Sequence, residues 1–178
     1  TAILGILGSA LYLFAYTPLK QKTPHAVYVG AIPGAIPPLM GWTVVTGEMT
    51  FMSWSLFGIL FIWQLPHFMA ISIYHARDYN AAKIQVYPNL KGMLTTKRNI
   101  VLFTTVLTVV AVAPGVWGEA SQAYFYSAIV LSGVLLAYAL RGFFIDRQEI
   151  VHRYWARKYF LGTVAYLPLL LGAMIFLR

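Results

Sequence analysis

Six apolar runs, most of them close to bilayer length, leave this chain little choice of fold. They fall at about 1–16, 27–46, 51–73, 100–117, 122–140 and 159–177. A helix needs roughly 20 apolar residues to cross the hydrocarbon core. No water is available there, so each segment must satisfy its own N–H and C=O groups, which a helix does and an open strand does not. The run 100-IVLFTTVLTVVAVAPGVW-117 shows the force of this constraint. Its β-branched residues would favour a strand in water, yet in lipid the helix prevails. Composition agrees: 60% of the 178 residues are hydrophobic and 10% are charged, whereas soluble domains run near 45–50% and about 25%. The expectation is an all-α, polytopic transmembrane helical bundle, with residues 1–178 forming a single integral-membrane domain.

The charged residues orient that bundle. The formal net charge is +8, and 12 of the 13 Lys and Arg residues lie on every second loop, Arg178 being the exception. The loops at 17–26, 74–99 and 141–158 hold them, while the links 47-GEMT-50 and 118-GEAS-121 carry one Glu each and no Lys or Arg. By the positive-inside rule the three long loops are cytoplasmic and the C-terminus is on the opposite side. Basic residues spread in this way read as topology, not as a polyanion-binding face, and no basic stretch interleaved with aromatics is present to grip single strands. The partner implied is the lipid bilayer, with no nucleic acid. There is no cysteine, which excludes disulfides, thiolate metal sites and a cysteine nucleophile. The opening run is about a turn short of a span, and we expect the chain to be the C-terminal part of a longer protein.

The second run, 27-VYVGAIPGAIPPLMGWTVVTG-47, holds Pro33, Pro37 and Pro38. Proline removes a backbone donor and opens a kink. Two readings stand together here, close packing through small residues and the wall of a cavity. The third run carries more unusual cargo. Laid on a helix, Gln64, His67, Ile71, Tyr74 and Asp78 fall at steps of three and four, on one face. His67 and Asp78 are then roughly 16 Å apart along the axis. Polar groups inside a span are costly and face a cavity or each other, so His67 is either a packing histidine bonded to Gln64 or a carbonyl, or part of a site.

Asp78 has two readings as well: a surface ion pair with Arg77 or Lys83, or a hard oxygen ligand for Mg²⁺, an ion that takes one or two carboxylates and completes its shell with substrate phosphates and water. A lone aspartate would need partners from elsewhere. In 16-YTPLKQKTPH-25, Lys20 and Lys22 with the hydroxyls of Tyr16, Thr17 and Thr23 suit a phosphate-bearing ligand, although positive-inside bias alone accounts for lysines in a short loop. The 141–158 loop, with Asp146, Arg147, Glu149, His152 and Arg153, reads as an amphipathic interfacial helix.

These residues carry a resemblance. The string 63-WQLPHFMAISIYHARDY-79, with Y-T-P-L-K-x-K-T-P from Tyr16 and 29-VGAIPGAIPPLMGW-42, resembles the protohaem IX farnesyltransferase (haem O synthase) family of the UbiA prenyltransferase superfamily. The match runs in order from about 12 to 95, and the later spans agree in number and spacing. Family members have nine helices and an aspartate-rich motif in each of two cytoplasmic loops, so the resemblance implies that these six spans are the last six. It implies that Tyr74 to Ala82 is the second motif, with Asp78 as metal ligand, Asn80 as a weak helper and Mg²⁺ as cofactor. Ala82 stands where relatives often have another aspartate, a departure that leaves this loop with Asp78 as its one carboxylate. Tyr16 and Lys20 match the Y-x-x-x-K element implied to hold diphosphate, with Lys22, Arg77 and Lys83 nearby in sequence. Gln64, His67, Trp63 and Tyr74 are the implied wall of the haem and prenyl cavity, and Trp42, Phe61 and Phe68 are further aromatic candidates.

The activity implied is transfer of farnesyl from farnesyl diphosphate to a vinyl group of haem b, giving haem O in a bacterial inner or plasma membrane. Hand-over of the product to haem A synthase or to terminal oxidase assembly follows from the same resemblance. Other readings are an aromatic or quinone-precursor prenyltransferase, a transporter whose kinked helices line a path, and a non-catalytic haem-binding subunit.

Overall fold

A computed structural model describes residues 1–145 and 148–177. Asp146, Arg147 and Arg178, counted above among the charges, lie outside the described residues. The helices are α1 (Ala2–Leu19), α2 (Ala26–Thr46), α3 (Phe51–Tyr74), the short α4 (Ala76–Ala81) and α5 (Tyr87–Lys91), α6 (Met93–Val116), α7 (Gln122–Arg141) and α8 (Glu149–Phe176). There is no strand among the described residues. Six of these helices are long and apolar enough to cross a membrane: α1, α2, α3, α6, α7 and α8.

The short links are built to stop and start helices. Gly47 ends α2 in the left-handed conformation at φ 76, which glycine adopts without a Cβ clash. Thr50 accepts from the Ser53 N–H at the start of α3 and Ser121 accepts from the Tyr124 N–H at the start of α7, side-chain caps for otherwise unpaired donors. At the other end of the bundle the helices outrun their apolar cores. α6 starts at Met93 and α8 at Glu149, well before the expected 100 and 159, because hydropathy registers the lipid-facing stretch and not the basic turns that emerge from it. The expected interfacial helix over 141–158 is therefore corrected: from Glu149 onward those residues are the first turns of α8. α1 likewise continues past residue 16 to Leu19, through a π-helical stretch at Leu11–Tyr16. The Thr17 hydroxyl donates five residues back to the Tyr12 carbonyl (2.9 Å), which also accepts the Thr17 N–H of the wider turn.

α3 is the organising element. It packs against α2, α6 and α8, and α7 closes a four-helix ring by packing against α6 and α8, while α1 lies on α2 at the outer edge. The ring holds the main core: Ile59, Met69 and Ile73 of α3, Leu107 of α6, Tyr124 of α7, and Tyr159 and Leu170 of α8. Apolar burial discriminates little between protein and lipid, so polar ties fix the arrangement. Thr104 and Tyr159 hydroxyls meet at 2.6 Å, Ser132 and Tyr166 at 2.9 Å, and the Tyr124 hydroxyl donates to the Ala111 carbonyl at 2.7 Å. At the basic end, Lys97 Nζ donates to the Gly142 carbonyl at 2.6 Å. Both readings of the proline-rich α2 hold. Ala31, Ala35 and Leu39 are buried in packing, while Pro33 and Pro37 line a cavity.

Candidate functional site

The cavity lies in the wing formed by α1, α2 and α3 and encloses about 830 Å³. That is within the range of small-molecule sites, roughly 300–1,000 Å³. Along α2 its lining runs from Ala26 to Met40, a length of roughly 20 Å at 1.5 Å per residue. The two ends differ in chemistry. Lys20, Thr23, Tyr79, Gln85 and Tyr87 line the mouth, whereas Gly5, Pro33, Pro37, Met40 and Phe68 line the interior. An amphiphile with an anionic head and an apolar tail matches this gradient.

Two glycines one helical turn apart let the walls close. A Cβ at Gly30 would sit 2.6 and 2.7 Å from Cδ2 and Cε2 of the Tyr16 ring, so only glycine lets that ring pack on α2. A Cβ at Gly34 would collide with Gln64 Oε1. The Gln64 amide instead fits into the space, donating to the Leu60 carbonyl (3.1 Å) and across to the Ala31 carbonyl of α2 (3.4 Å). Tyr16 in turn carries Lys20, whose Nζ is 5.7 Å from the centroid of the Tyr16 ring. Tyr16, Lys20 and Gln64 thus all meet at the cavity, the first two near its mouth.

The remaining candidates are distributed differently from the expected single wall. Trp63, His67 and Tyr74 turn away from the cavity, toward α8. The Trp63 indole donates to the Thr163 carbonyl (2.8 Å) and stacks on His67 with centroids 4.6 Å apart. His67 Nδ1 lies 2.7 Å from Thr163 Oγ1, and that hydroxyl gives its single proton to the Phe160 carbonyl (2.6 Å). Thr163 must then accept from His67, which assigns the proton to Nδ1 and leaves Nε2 with its lone pair. A histidine that bonds through Nδ1–H and offers Nε2 is the tautomer that ligates metals. The correction has a simple cause. A stripe at steps of three and four is broad enough to straddle two neighbours, so Gln64 and Ile71 fall on the cavity side and His67 and Tyr74 on the α8 side.

Asp78 is beside the mouth, next to Tyr79 but not among the cavity-lining residues. Its partner is neither Arg77 nor Lys83: Asp78 Oδ2 is 2.7 Å from His75 Nδ1, and the Asp78 side chain is 72% exposed. Arg77 forms a two-bond pair with Glu149 of α8, at 2.8 and 3.1 Å. That hydrogen bond, with the attraction of the carboxylate, holds the Arg77 guanidinium above its ordinary range. Lys22 and Lys83 are exposed away from the cavity, Lys83 in the left-handed region at φ 55. Asn80 is exposed and follows Asp78 by two residues on α4, a spacing that points side chains apart; the pair makes no chelate. Among the described residues no three His, Cys, Asp or Glu side chains gather as a metal cage. Asp78 fits one ligand of a Mg²⁺ shell that phosphate, water and other carboxylates complete. Trp42 and Phe61 do not line the cavity; Tyr12, Tyr16, Phe68, Tyr79 and Tyr87 supply its aromatic surface.

Some contributors were invisible in the sequence. A hydroxyl chain joins Tyr28 to Tyr87 (2.8 Å) and Tyr87 to His25 Nδ1 (2.8 Å) across the mouth. Burial, with the hydrogen bond to Tyr28, pushes the Tyr87 phenol above the ordinary tyrosine range. Nothing in 84-IQVYP-88 singles Tyr87 out. The Gly30 and Gly34 pair did leave a trace, since a small-xxx-small spacing marks close helix approach.

Fold and site together define a membrane-embedded helical bundle with an elongated apolar cavity and a cationic, hydroxyl-rich mouth. The chain belongs to the UbiA prenyltransferase family, whose family model matches residues 1–164, and with its six apolar helices it is an integral, multi-pass membrane protein. It is similar to proteins named protoheme IX farnesyltransferase. One from Anaeromyxobacter dehalogenans is 42% identical over all of this chain and 59% of its own length. Others from Sorangium cellulosum and Myxococcus xanthus are 40% and 37% identical over 98% of this chain, which covers 62% and 58% of theirs. The chain thus spans about three-fifths of the length of these curated relatives. No solved structure matches it.

Proposed function

We propose that the complete protein transfers a farnesyl group from farnesyl diphosphate to a vinyl group of haem b, making haem O. The observation that carries this reading is the cavity of about 830 Å³ with Tyr16 and Lys20 at its mouth, in a chain whose relatives are named for that reaction. The prenyl tail lies along α2 past Gly30, Pro33 and Pro37, and the diphosphate rests at Lys20. In the reaction the allylic C–O bond breaks and diphosphate departs with its electron pair. The vinyl terminus forms the new C–C bond, water adds at the carbon beside the porphyrin, and one proton is released.

Each part has a physical task. The Lys20 ammonium offsets charge on the departing diphosphate, where preorganised cations lower the barrier most. The apolar lining keeps water from the allylic cation, and the faces of Tyr16, Phe68 and Tyr79 stabilise it by about 0.5–2 kcal/mol each. Asp78 would hold a Mg²⁺ that neutralises the diphosphate. His67 ties α3 to α8 through Thr163 and packs between Trp63 and Phe160. The basic ends of the helices face the cytoplasm of a bacterial cell, and the product passes to haem A synthase or to oxidase assembly.

The test is transfer by the purified full-length protein, with haem b and with an aromatic quinone precursor as competing acceptors, with and without EDTA. Haem O formed in preference, and lost with EDTA, supports the reading. Prenylation of the quinone precursor alone would assign the protein to another branch of the family.

A further inference from the structure

A second cavity, of about 460 Å³, lies between α7 and α8 and shares no residue with the first. The small residues Gly162 and Ala165 of α8 leave the space, and Val134, Leu161 and Leu169, all exposed, stand around it. The hydroxyls of Tyr159 and Tyr166 are engaged by Thr104 and Ser132. Polar side chains therefore remain only at one end, where Tyr138 and Lys158 line the groove. Along α8 the lining runs from Lys158 to Leu169, roughly 16 Å at 1.5 Å per residue. That is about half of a hydrocarbon core of roughly 30 Å, the depth of one leaflet.

The polar end is cationic. Arg141 and Lys158 directly adjoin the apolar runs 122–140 and 159–177, which sets both at the level of lipid head groups, where long basic side chains reach the interface. The Arg141 guanidinium carbon is 6.0 Å from the centroid of the Tyr138 ring, and Lys158 Nζ is 4.5 Å from that of Tyr154. Tyrosine rings at this level are usual interface anchors. Arg141 and Lys158 are close enough to repel one another. Among the described residues, the carboxylates at this end of the bundle are Asp78 and Glu149, and His75 and Arg77 hold them. Two like charges with no carboxylate between them favour an anion, and basic pockets between spanning helices take anionic lipid head groups.

We propose that the α7–α8 groove holds one anionic phospholipid from the leaflet at the basic end of the bundle. Its phosphate rests between Arg141 and Lys158, and one acyl chain runs past Gly162 and Ala165 toward Leu169. Positive-inside bias accounts for basic residues at helix ends, but not for a leaflet-deep groove that opens beside them. A zwitterionic head would bring its own cation against Arg141 and Lys158, so the site selects a net negative head. The bound lipid ties the end of α7 to the start of α8. The groove is separate from the donor cavity, so the inference stands whichever acceptor the protein prenylates.

The experiment titrates the full-length protein, stripped of lipid in mild detergent, with dioleoyl phosphatidylglycerol and with dioleoyl phosphatidylcholine. Bound lipid is counted by native mass spectrometry, and circular dichroism checks the fold of each variant. Expected is one phosphatidylglycerol per chain, held about tenfold or more tighter than phosphatidylcholine, the scale of a charge-assisted contact. Lys158→Gln and Arg141→Gln should each weaken phosphatidylglycerol about tenfold and leave phosphatidylcholine unchanged, whereas Lys158→Arg should retain the preference. Ala165→Leu, at an exposed position, fills the groove and should weaken both lipids without touching a charge. Lys91→Gln removes another exposed charge at the basic end and should bind as wild type does. Equal affinity of the wild type for the two lipids, or no retained lipid at all, would overturn the inference. So would phosphatidylglycerol binding unchanged by the glutamine variants and by Ala165→Leu.

Discussion

Glycine 30 gives the sharpest test of how the cavity is built. Replacing it by alanine places a Cβ 2.6 Å from Cδ2 of Tyr16 and 2.7 Å from Cε2, about 1 Å inside the usual carbon–carbon contact of roughly 3.5–4.0 Å. The ring is rigid and must swing as a body, so the overpacking costs about 1–3 kcal/mol. Alanine also gains about 0.5–1 kcal/mol over glycine within a helix, leaving a net loss of up to roughly 2.5 kcal/mol. Gly41 supplies the control. It lies in the same helix, and a Cβ there meets nothing within 4 Å, so Gly41→Ala keeps the propensity gain without the collision. Unfolding of the full-length variants in detergent, followed by circular dichroism, should separate the two by the overpacking cost alone, about 1–3 kcal/mol. Tyr16→Ala should restore Gly30→Ala, a coupling expected only of residues in contact. Because Tyr16 and Lys20 share the mouth, Gly30→Ala should also raise KM for farnesyl diphosphate, and Gly41→Ala should not. Equal stabilities for the two alanine variants would refute the packing of α1 on α2.

Four shorter predictions accompany it. Asp78→Asn should lower turnover by on the order of 100-fold, the scale of losing one preorganised electrostatic group, and near-normal rates would remove Asp78 from the site. Lys20→Ala should raise KM for farnesyl diphosphate about 10–100-fold, the value of a hydrogen bond to a charged group; unchanged kinetics would contradict a diphosphate at Lys20. Arg77→Gln should leave that KM near wild type, because Glu149 already occupies the guanidinium, and a clear rise would return Arg77 to the donor site. Tyr87 titrates above an ordinary tyrosine, so the folded chain keeps a proton that the unfolded chain loses above about pH 10. Stability should fall as pH rises through that range, and Tyr87→Phe should flatten the fall in alkaline unfolding curves.

Fold and topology were largely legible in the residues, because the bilayer leaves few solutions to a chain of six long apolar runs. Links such as 47-GEMT-50 marked helix boundaries through Gly47 and Thr50, whose roles are local. The basic end of α6 read as loop and that of α8 as a separate interfacial helix, because hydropathy is blind to a helix that continues past the lipid. In the site, Lys20 and Tyr16 were found from a short contiguous element. Gln64 and His67 were found as residues, but their separation onto two sides of α3 depends on where α2 and α8 dock, which no periodicity encodes. Asp78 showed the same limit. Its partner is His75 and not the adjacent Arg77, since a glutamate 72 residues away claims that arginine. Arg141 and Lys158 read as loop charge until α7 and α8 brought them together.

The central claim is that the basic end of this bundle ionises a prenyl diphosphate and delivers the chain to haem. Its most direct test is the haem content of membranes expressing the full-length gene, resolved by reversed-phase chromatography and identified by mass. The account predicts haem O in cells carrying the wild type and only haem b in cells carrying Asp78→Asn at equal protein levels. A haem profile unchanged by the wild-type protein, or haem O undiminished by Asp78→Asn, would contradict it.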